Sequence, residues 1–239
     1  MNLQLAGKTA LLVGGHGTLG RACADVLREE GAAVVLADLQ VNSDTPSENL
    51  TVDVTSEESV QDAVRQFLQQ HGRIDILVTL AGTYQGGPMA AISPAACRRV
   101  LDVNLTGTYL VCREVLPLMQ RQDFGRIVCV GSLAGQVGGV VAGANYSASK
   151  AGVLSLVKSL AKQAGQPSFT ITAVNPGPVE GTITDAWSEN ERELLRKNIP
   201  LGRFARPAEV AQVIAFLASP RAAYIHGAHI DINGGLFMD

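Results

Sequence analysis

Short runs of apolar residues alternate with longer amphipathic segments from one end of the chain to the other. A run such as Ala10-Leu11-Leu12-Val13 is apolar on both faces, which suits a strand whose sheet is covered by helices on both sides. This pattern predicts strands at 8–13, 33–37, 50–52, 74–79, 126–130, 170–174 and 229–232. Helices are predicted at 18–30, 56–70, 94–121, 144–163 and 207–218. Gly31 punctuates the end of the first helix, and Pro117 is placed to end or kink the long segment 94–121. Residues 40–49 are too few and too rich in Pro, Ser and Asn for a crossover helix, so an irregular loop is expected there. Alternating strands and helices make the fold class α/β, with a doubly wound parallel sheet.

Composition narrows the function classes. At 239 residues with 46% hydrophobic content, the chain buries a full core as one domain spanning 1–239. Its net charge of -3 is spread without basic runs or an aromatic-basic ladder. Nucleic acid and anionic membrane surfaces are therefore not expected partners, and a small diffusible substrate is. The first strand starts within a few residues of Met1, leaving no room for a signal peptide, and no apolar stretch reaches membrane-spanning length. Cys23, Cys97, Cys112 and Cys129 show no CxxC pairing, which suits reduced thiols and a cytoplasmic location. His226 and His229 lack a nearby Cys, Asp or Glu set, so no metal site is expected.

The chemistry is concentrated in Tyr146-Ser147-Ala148-Ser149-Lys150, with Ser132 upstream in Val130-Gly131-Ser132. Residues i and i+4 share a helix face, so an ammonium at Lys150 can act on the Tyr146 phenol. Lowering a tyrosine pKa by roughly 3 units takes about 4 kcal/mol of phenolate stabilisation. Near the N-terminus, Gly14-Gly15-His16-Gly17-Thr18-Leu19-Gly20 follows a buried strand and opens a helix, where backbone N–H groups can face a pyrophosphate. Asp38 closes the second strand eighteen positions after Gly20 (38 minus 20). That is the place for an acid that accepts from an adenosine ribose, which points to NAD. Asp53 in Val52-Asp53-Val54-Thr55 has two readings: it meets the adenine edge, or it caps the next helix through Thr55 or Ser56.

With Asp53-Val54, Ala81-Gly82, Asn104, Gly131-Ser132, Tyr146 to Lys150, Asn175-Pro176-Gly177 and Thr182 in order, the chain resembles the short-chain dehydrogenase/reductase family of the Tyr-x-x-x-Lys type over essentially its whole length. The C-terminal run Ile199 to Phe204, then Pro207-Ala208-Glu209-Val210 and Ile232-Asn233-Gly234-Gly235, is most similar to the 3-oxoacyl-carrier-protein reductase branch, an ending shared by relatives with other substrates. The resemblance implies one Rossmann-type sheet of about seven strands in the order 3-2-1-4-5-6-7. It implies Tyr146 as general acid/base, Ser132 on the substrate oxygen, Lys150 on the nicotinamide ribose and lowering the tyrosine pKa, and Asn104 holding a relay water. The cofactor contacts it implies are Gly14, His16, Thr18, Leu19, Gly20, Asp38, Leu39, Asp53, Val54, Ala81, Gly82, Tyr146, Lys150, Pro176, Gly177, Val179 and Thr182. It also implies a homo-oligomer, tetramer or dimer.

Three departures from the family pattern stand out: Val13 replaces a threonine, Thr18 a glycine, and Thr79-Leu80 a pair of asparagines. The expected function is NAD(H)-dependent interconversion of a secondary alcohol and a ketone, with 3-oxoacyl thioesters among the candidates. The departures leave one alternative, an NAD-binding regulator or scaffold of little activity. The glycine spacing raises another, an epimerase or dehydratase, for which no second acid/base pair is found. The outer pocket is assigned to 84–88, 133–143 and 183–198, where no motif identifies the substrate. The last of these, with Trp187 and the charged run Glu191 to Lys197, has two readings, a substrate lid or a surface helix.

Overall fold

In β1 (Thr9–Val13), alternate residues enter different cores. Leu11 and Val13 pack on one face of the sheet, Ala10 and Leu12 on the other. A period of 2 on a two-sided apolar strand requires this division. The computed structural model describes residues 2–41, 48–122, 124–139 and 141–238.

The first core lies under α2 (Glu57–His71), α4 (Gly107–Arg121) and α6 (Ala144–Gln163), which bury Phe67, Met119 and Val153 respectively. The second lies under α1 (Thr18–Glu29) and α9 (Pro207–Leu217), through Leu27 and Ile214. Each such side chain contributes about 1.5–3 kcal/mol on burial. Between them run β2 (Ala33–Asp38), β3 (Asn49–Thr51), β4 (Ile76–Thr79), β5 (Gly125–Val130), β6 (Phe169–Pro176) and β7 (His229–Ile232). The strands form one seven-stranded parallel sheet in the order β3-β2-β1-β4-β5-β6-β7. The order reverses between β1 and β4, so a crevice opens beyond their carboxyl ends. Asp38, Thr79, Val130 and Pro176 all stand at that rim.

The predicted helix 94–121 is three elements. α3 (Pro94–Leu101) starts at Ser93, whose hydroxyl accepts from the Ala96 N–H at 3.1 Å. A π-helical turn, Asp102–Thr106, then joins it to α4. α4 runs through Pro117 to Arg121. Pro117 is exposed, between buried Val115 and Met119. Of the connector read as irregular, residues 42–47 lie outside the described residues. Three short or outer helices complete the chain: α5 (Ala134–Val137), α7 (Thr182–Asp185) and α8 (Glu189–Asn198).

Candidate active site

α6 begins at Gly143 without a side-chain cap and carries Tyr146, Ser149 and Lys150 in its first two turns. Tyr146 is half-buried at the sheet rim, and Lys150 is buried with its Nζ donating to the Val130 carbonyl at 2.8 Å. That bond fixes the ammonium at the end of β5, 5.9 Å from the centre of the Tyr146 ring. Ser132 follows β5 by two residues, and its hydroxyl lies against the Tyr146 phenol, favouring the phenolate. Gly131, just before it, has no room for a side chain because a Cβ would run into Asn175 Oδ1.

Electrostatics at the tyrosine run opposite to the expectation. Burial pushes the Tyr146 phenol above its ordinary value, and the Ser132 contact offsets only part of that. Burial brings Lys150 down from 10.5 to about 8. Lys150 gives one of its three donors to the Val130 carbonyl, and with burial holding the phenol up, Tyr146 in this structure is poised to give a proton.

Asn104 sits in the π-helical turn and is fully buried. Its Oδ1 accepts from the Thr83 N–H at 2.7 Å, and its Nδ2 donates to the Thr83 carbonyl and to Ser149 Oγ, each at 3.0 Å. One side chain thus braces the chain after β4 against α6, and π-turns of this kind concentrate at functional sites. Gly82 lies between the ends of Asn104 and Lys150. The four residues expected to be catalytic are therefore brought together. Thr83 and Ser149, which orient Asn104, were not singled out by the sequence; Ser149 stands inside the Tyr146–Lys150 motif and was legible only as spacing.

The dinucleotide side is built from the glycine loop. Gly14 has φ +85, and a Cβ there would collide with the Ala81 backbone, so only glycine lets β1 turn tightly against the end of β4. Leu80 and Ala81 N–H both donate to the Val13 carbonyl, at 2.7 and 2.8 Å. This main-chain bracing stands where Thr79 and Leu80 replace asparagines. α1 opens at Gly17 with no side-chain cap and no acid in its first turn, which leaves its N-terminus available to an anion. Thr18 shares a 3.2 Å hydrogen bond with Thr182, closing the segment after β6 onto the loop. Asp38 accepts from the His16 N–H at 3.0 Å and the Leu39 N–H at 2.8 Å. Leu39 is exposed. The donors, the uncapped helix and the strand-end acid fit a nicotinamide dinucleotide.

Asp53 makes a local turn and is not itself the cap of α2. Its Oδ1 accepts from the Thr55 N–H and hydroxyl at 2.9 and 2.7 Å, which holds its carboxyl below the usual range, while Ser56 caps α2. Val54 packs against Gly107. On the other wall, Pro176 accepts from the Leu133 N–H at 3.0 Å, Gly177 N–H donates to Ile232 at 3.0 Å, and Val179 bridges Ala205. Among the described residues no cluster of His, Cys, Asp and Glu could hold a metal ion, and no helix is long and apolar enough to cross a membrane. All four cysteines are unpaired, and His229 opens β7.

A family model described as enoyl-(acyl carrier protein) reductase matches residues 15–237. The chain belongs to the short-chain dehydrogenase/reductase family.

Its relatives in that family include the 3-oxoacyl-[acyl-carrier-protein] reductases of Thermotoga maritima, 36% identical, and of Vibrio cholerae, 34% identical. Each alignment covers 99% of this chain and 100% of the relative. Among solved structures, gox2181 superposes with a TM-score of 0.92 at 33% identity, covering 98% of this chain and 97% of that one. A short-chain dehydrogenase/reductase described as glucose/ribitol dehydrogenase, from Brucella melitensis, gives 0.89 at 31% identity, with 100% of both chains covered. Short-chain dehydrogenases/reductases are oxidoreductases that use a nicotinamide cofactor, and the seven-stranded sheet order is theirs.

Proposed function

We propose that this protein is an NAD(H)-dependent oxidoreductase that interconverts a secondary alcohol and a ketone, with Tyr146 as general acid/base. The observation that carries the reading is the convergence of Tyr146, Ser132, Lys150 and Asn104 beyond β4 and β5, across the same rim from the uncapped start of α1 and from Asp38. When bound, the nicotinamide supplies or takes the hydride at the carbinol carbon.

The chain's own residues handle the oxygen and its proton. Ser132 and Tyr146 donate to the carbonyl oxygen, and in reduction the Tyr146 hydroxyl passes its proton to that oxygen. Buried Lys150, held by Val130, is the cation from which a deprotonated Tyr146 draws stabilisation. Asn104, locked by Thr83 and Ser149, keeps the π-turn in place behind Lys150. The reading as a silent NAD-binding regulator rested on Val13, Thr79 and Leu80, and there the Leu80 and Ala81 N–H groups brace the chain by donating to the Val13 carbonyl. A panel of ketones and secondary alcohols followed by NADH absorbance tests the proposal. Turnover of at least one pair supports it, and NADH binding with no turnover across the panel contradicts it.

The same reading makes the protein a homo-oligomer, a tetramer or dimer, as it is for the family resemblance, and places it in the cytoplasm. Support comes from large apolar side chains left in solvent, among them Tyr109, Leu201, Tyr224 and Met238. Light scattering at micromolar concentration decides it, and a clean 25.1 kDa monomer contradicts it.

A further inference from the structure

We propose, resting on the oxidoreductase reading above, that Tyr84 sets substrate choice: the pocket at Tyr146 takes a free, compact, uncharged ketone and turns away a long acyl thioester carried on a phosphate-bearing arm.

An unbroken aromatic row runs outward from the acid/base. Tyr84 meets Tyr146 edge-on at 5.2 Å between ring centres, Trp187 lies 6.1 Å from Tyr84, and Phe204 lies 6.1 Å from Trp187. Rings therefore line the way from Tyr146 toward α8 and end at buried Phe204, so a long substituent extending on that side would meet aromatic surface. Arg192 and Arg196 close the row by lying over the Phe204 face at 5.6 and 5.3 Å.

Tyr84 is not free to swing aside. Its hydroxyl donates to the Val141 carbonyl at 3.0 Å. The Trp187 indole N–H lies near enough to favour its phenolate, though the pair falls short of full hydrogen-bond geometry. Beyond Tyr84, Gly86 bridges Ala142, the Gly143 N–H donates to Gln85 at 2.9 Å, and Asn145 Nδ2 donates to Gln85 Oε1 at 2.9 Å. These contacts tie the Tyr84 loop to the first turn of α6, so moving the ring disturbs the start of the helix that carries Tyr146.

Charge points the same way. Residues 182–198 carry four acids, Asp185, Glu189, Glu191 and Glu193, against three bases, Arg192, Arg196 and Lys197, a net of -1 by subtraction (3 minus 4). Every one of those bases faces a carboxylate: Arg192 with Asp185 at 3.1 Å, Arg196 with Glu189 at 2.8 Å, and Lys197 with Glu193 at 3.4 Å. A phosphodiester approaching over this helix meets no spare cation and a negative field.

The test compares cyclohexanone, 3-oxooctanoyl-N-acetylcysteamine and the matching coenzyme A thioester in the parent, Tyr84→Ala and Tyr84→Phe. Trp187 is the chain's one tryptophan, so quenching of its fluorescence reports binding apart from turnover. The parent is expected to favour cyclohexanone in kcat/KM by about tenfold or more over both thioesters. Tyr84→Ala should narrow that ratio by about tenfold for the N-acetylcysteamine thioester, chiefly through KM, with quenching following KM. Tyr84→Phe keeps the ring but releases it from Val141, and should narrow the ratio less than Tyr84→Ala does. Tyr84→Leu is run in parallel as the truncation that retains bulk, should the alanine variant lose its fold. A parent that prefers either thioester, or truncations that leave the ratio unchanged, overturns the proposal. If the parent turns over none of the three while NADH binds, the oxidoreductase reading fails instead, and the quenching titrations alone decide the pocket's preference.

Discussion

Asp38 Oδ2 accepts a hydrogen bond from the His16 N–H at 3.0 Å, which pins the end of β2 against the glycine loop. On the NAD(H) reading proposed above, this carboxylate accepts from a ribose hydroxyl and would repel a 2′-phosphate. At about 4 Å and an effective dielectric near 20, each like-charge pair costs about 4 kcal/mol before screening. No Arg or Lys stands among Gly14 to Gly20 or at Leu39 and Gln40 to compensate. NAD(H) is expected to exceed NADP(H) by about tenfold or more in kcat/KM, and Asp38→Ala should shrink that ratio. Equal use of both cofactors by the parent, or an unchanged ratio in the variant, contradicts the assignment.

Asn104→Ala strips three hydrogen bonds from a fully buried site and leaves both main-chain groups of Thr83 short of a partner. The expected loss of stability is about 2–4 kcal/mol, since each orphaned buried group costs about 1–3 kcal/mol. Urea unfolding measures this. A change under about 0.5 kcal/mol would mean that the π-turn holds its shape without Asn104.

Lys150 gives the protein a pH dependence of defined sign. Burial lowers its folded pKa to about 8 from 10.5, so between those values the unfolded chain binds more protons than the folded one. Stability from this group is therefore lowest below about pH 8 and rises toward about pH 10.5, by about 3 kcal/mol at most. Lys150→Met removes the titration. Measured by urea midpoint, the variant should be the more stable protein near pH 7, with its advantage fading as pH rises. A difference that does not change with pH shows that burial of the ammonium carries no such penalty.

How far the sequence led depended on the range of the interactions involved. The strands, the glycine loop and the Tyr146–Lys150 spacing were readable because each is set by local periodicity or by a motif a few residues long, whereas the order of the strands in the sheet came from the family resemblance. At the π-turn the sequence offers only Asn104, a poor helix former that marks a local kink, because the turn itself is held by Asn104 contacts to Thr83 and Ser149, 21 and 45 residues away. Pro117 does not end the helix, which runs four residues past it to Arg121. The raised Tyr146 phenol follows from burial and from Tyr84 beside it, and neither is visible in a spacing of four. Likewise Tyr84, Trp187 and Phe204 are scattered singly along the chain and become one wall only in the fold.

The central claim is that the Tyr146 hydroxyl moves the proton while the rest of the pocket binds and positions. Tyr146→Phe keeps the ring against Tyr84 and removes only that hydroxyl. Single-turnover reduction of the best ketone, with NADH affinity measured alongside by fluorescence, tests this most directly. Turnover at least about a hundredfold slower with unchanged NADH affinity is the predicted result. Turnover within a few-fold of the parent would contradict it.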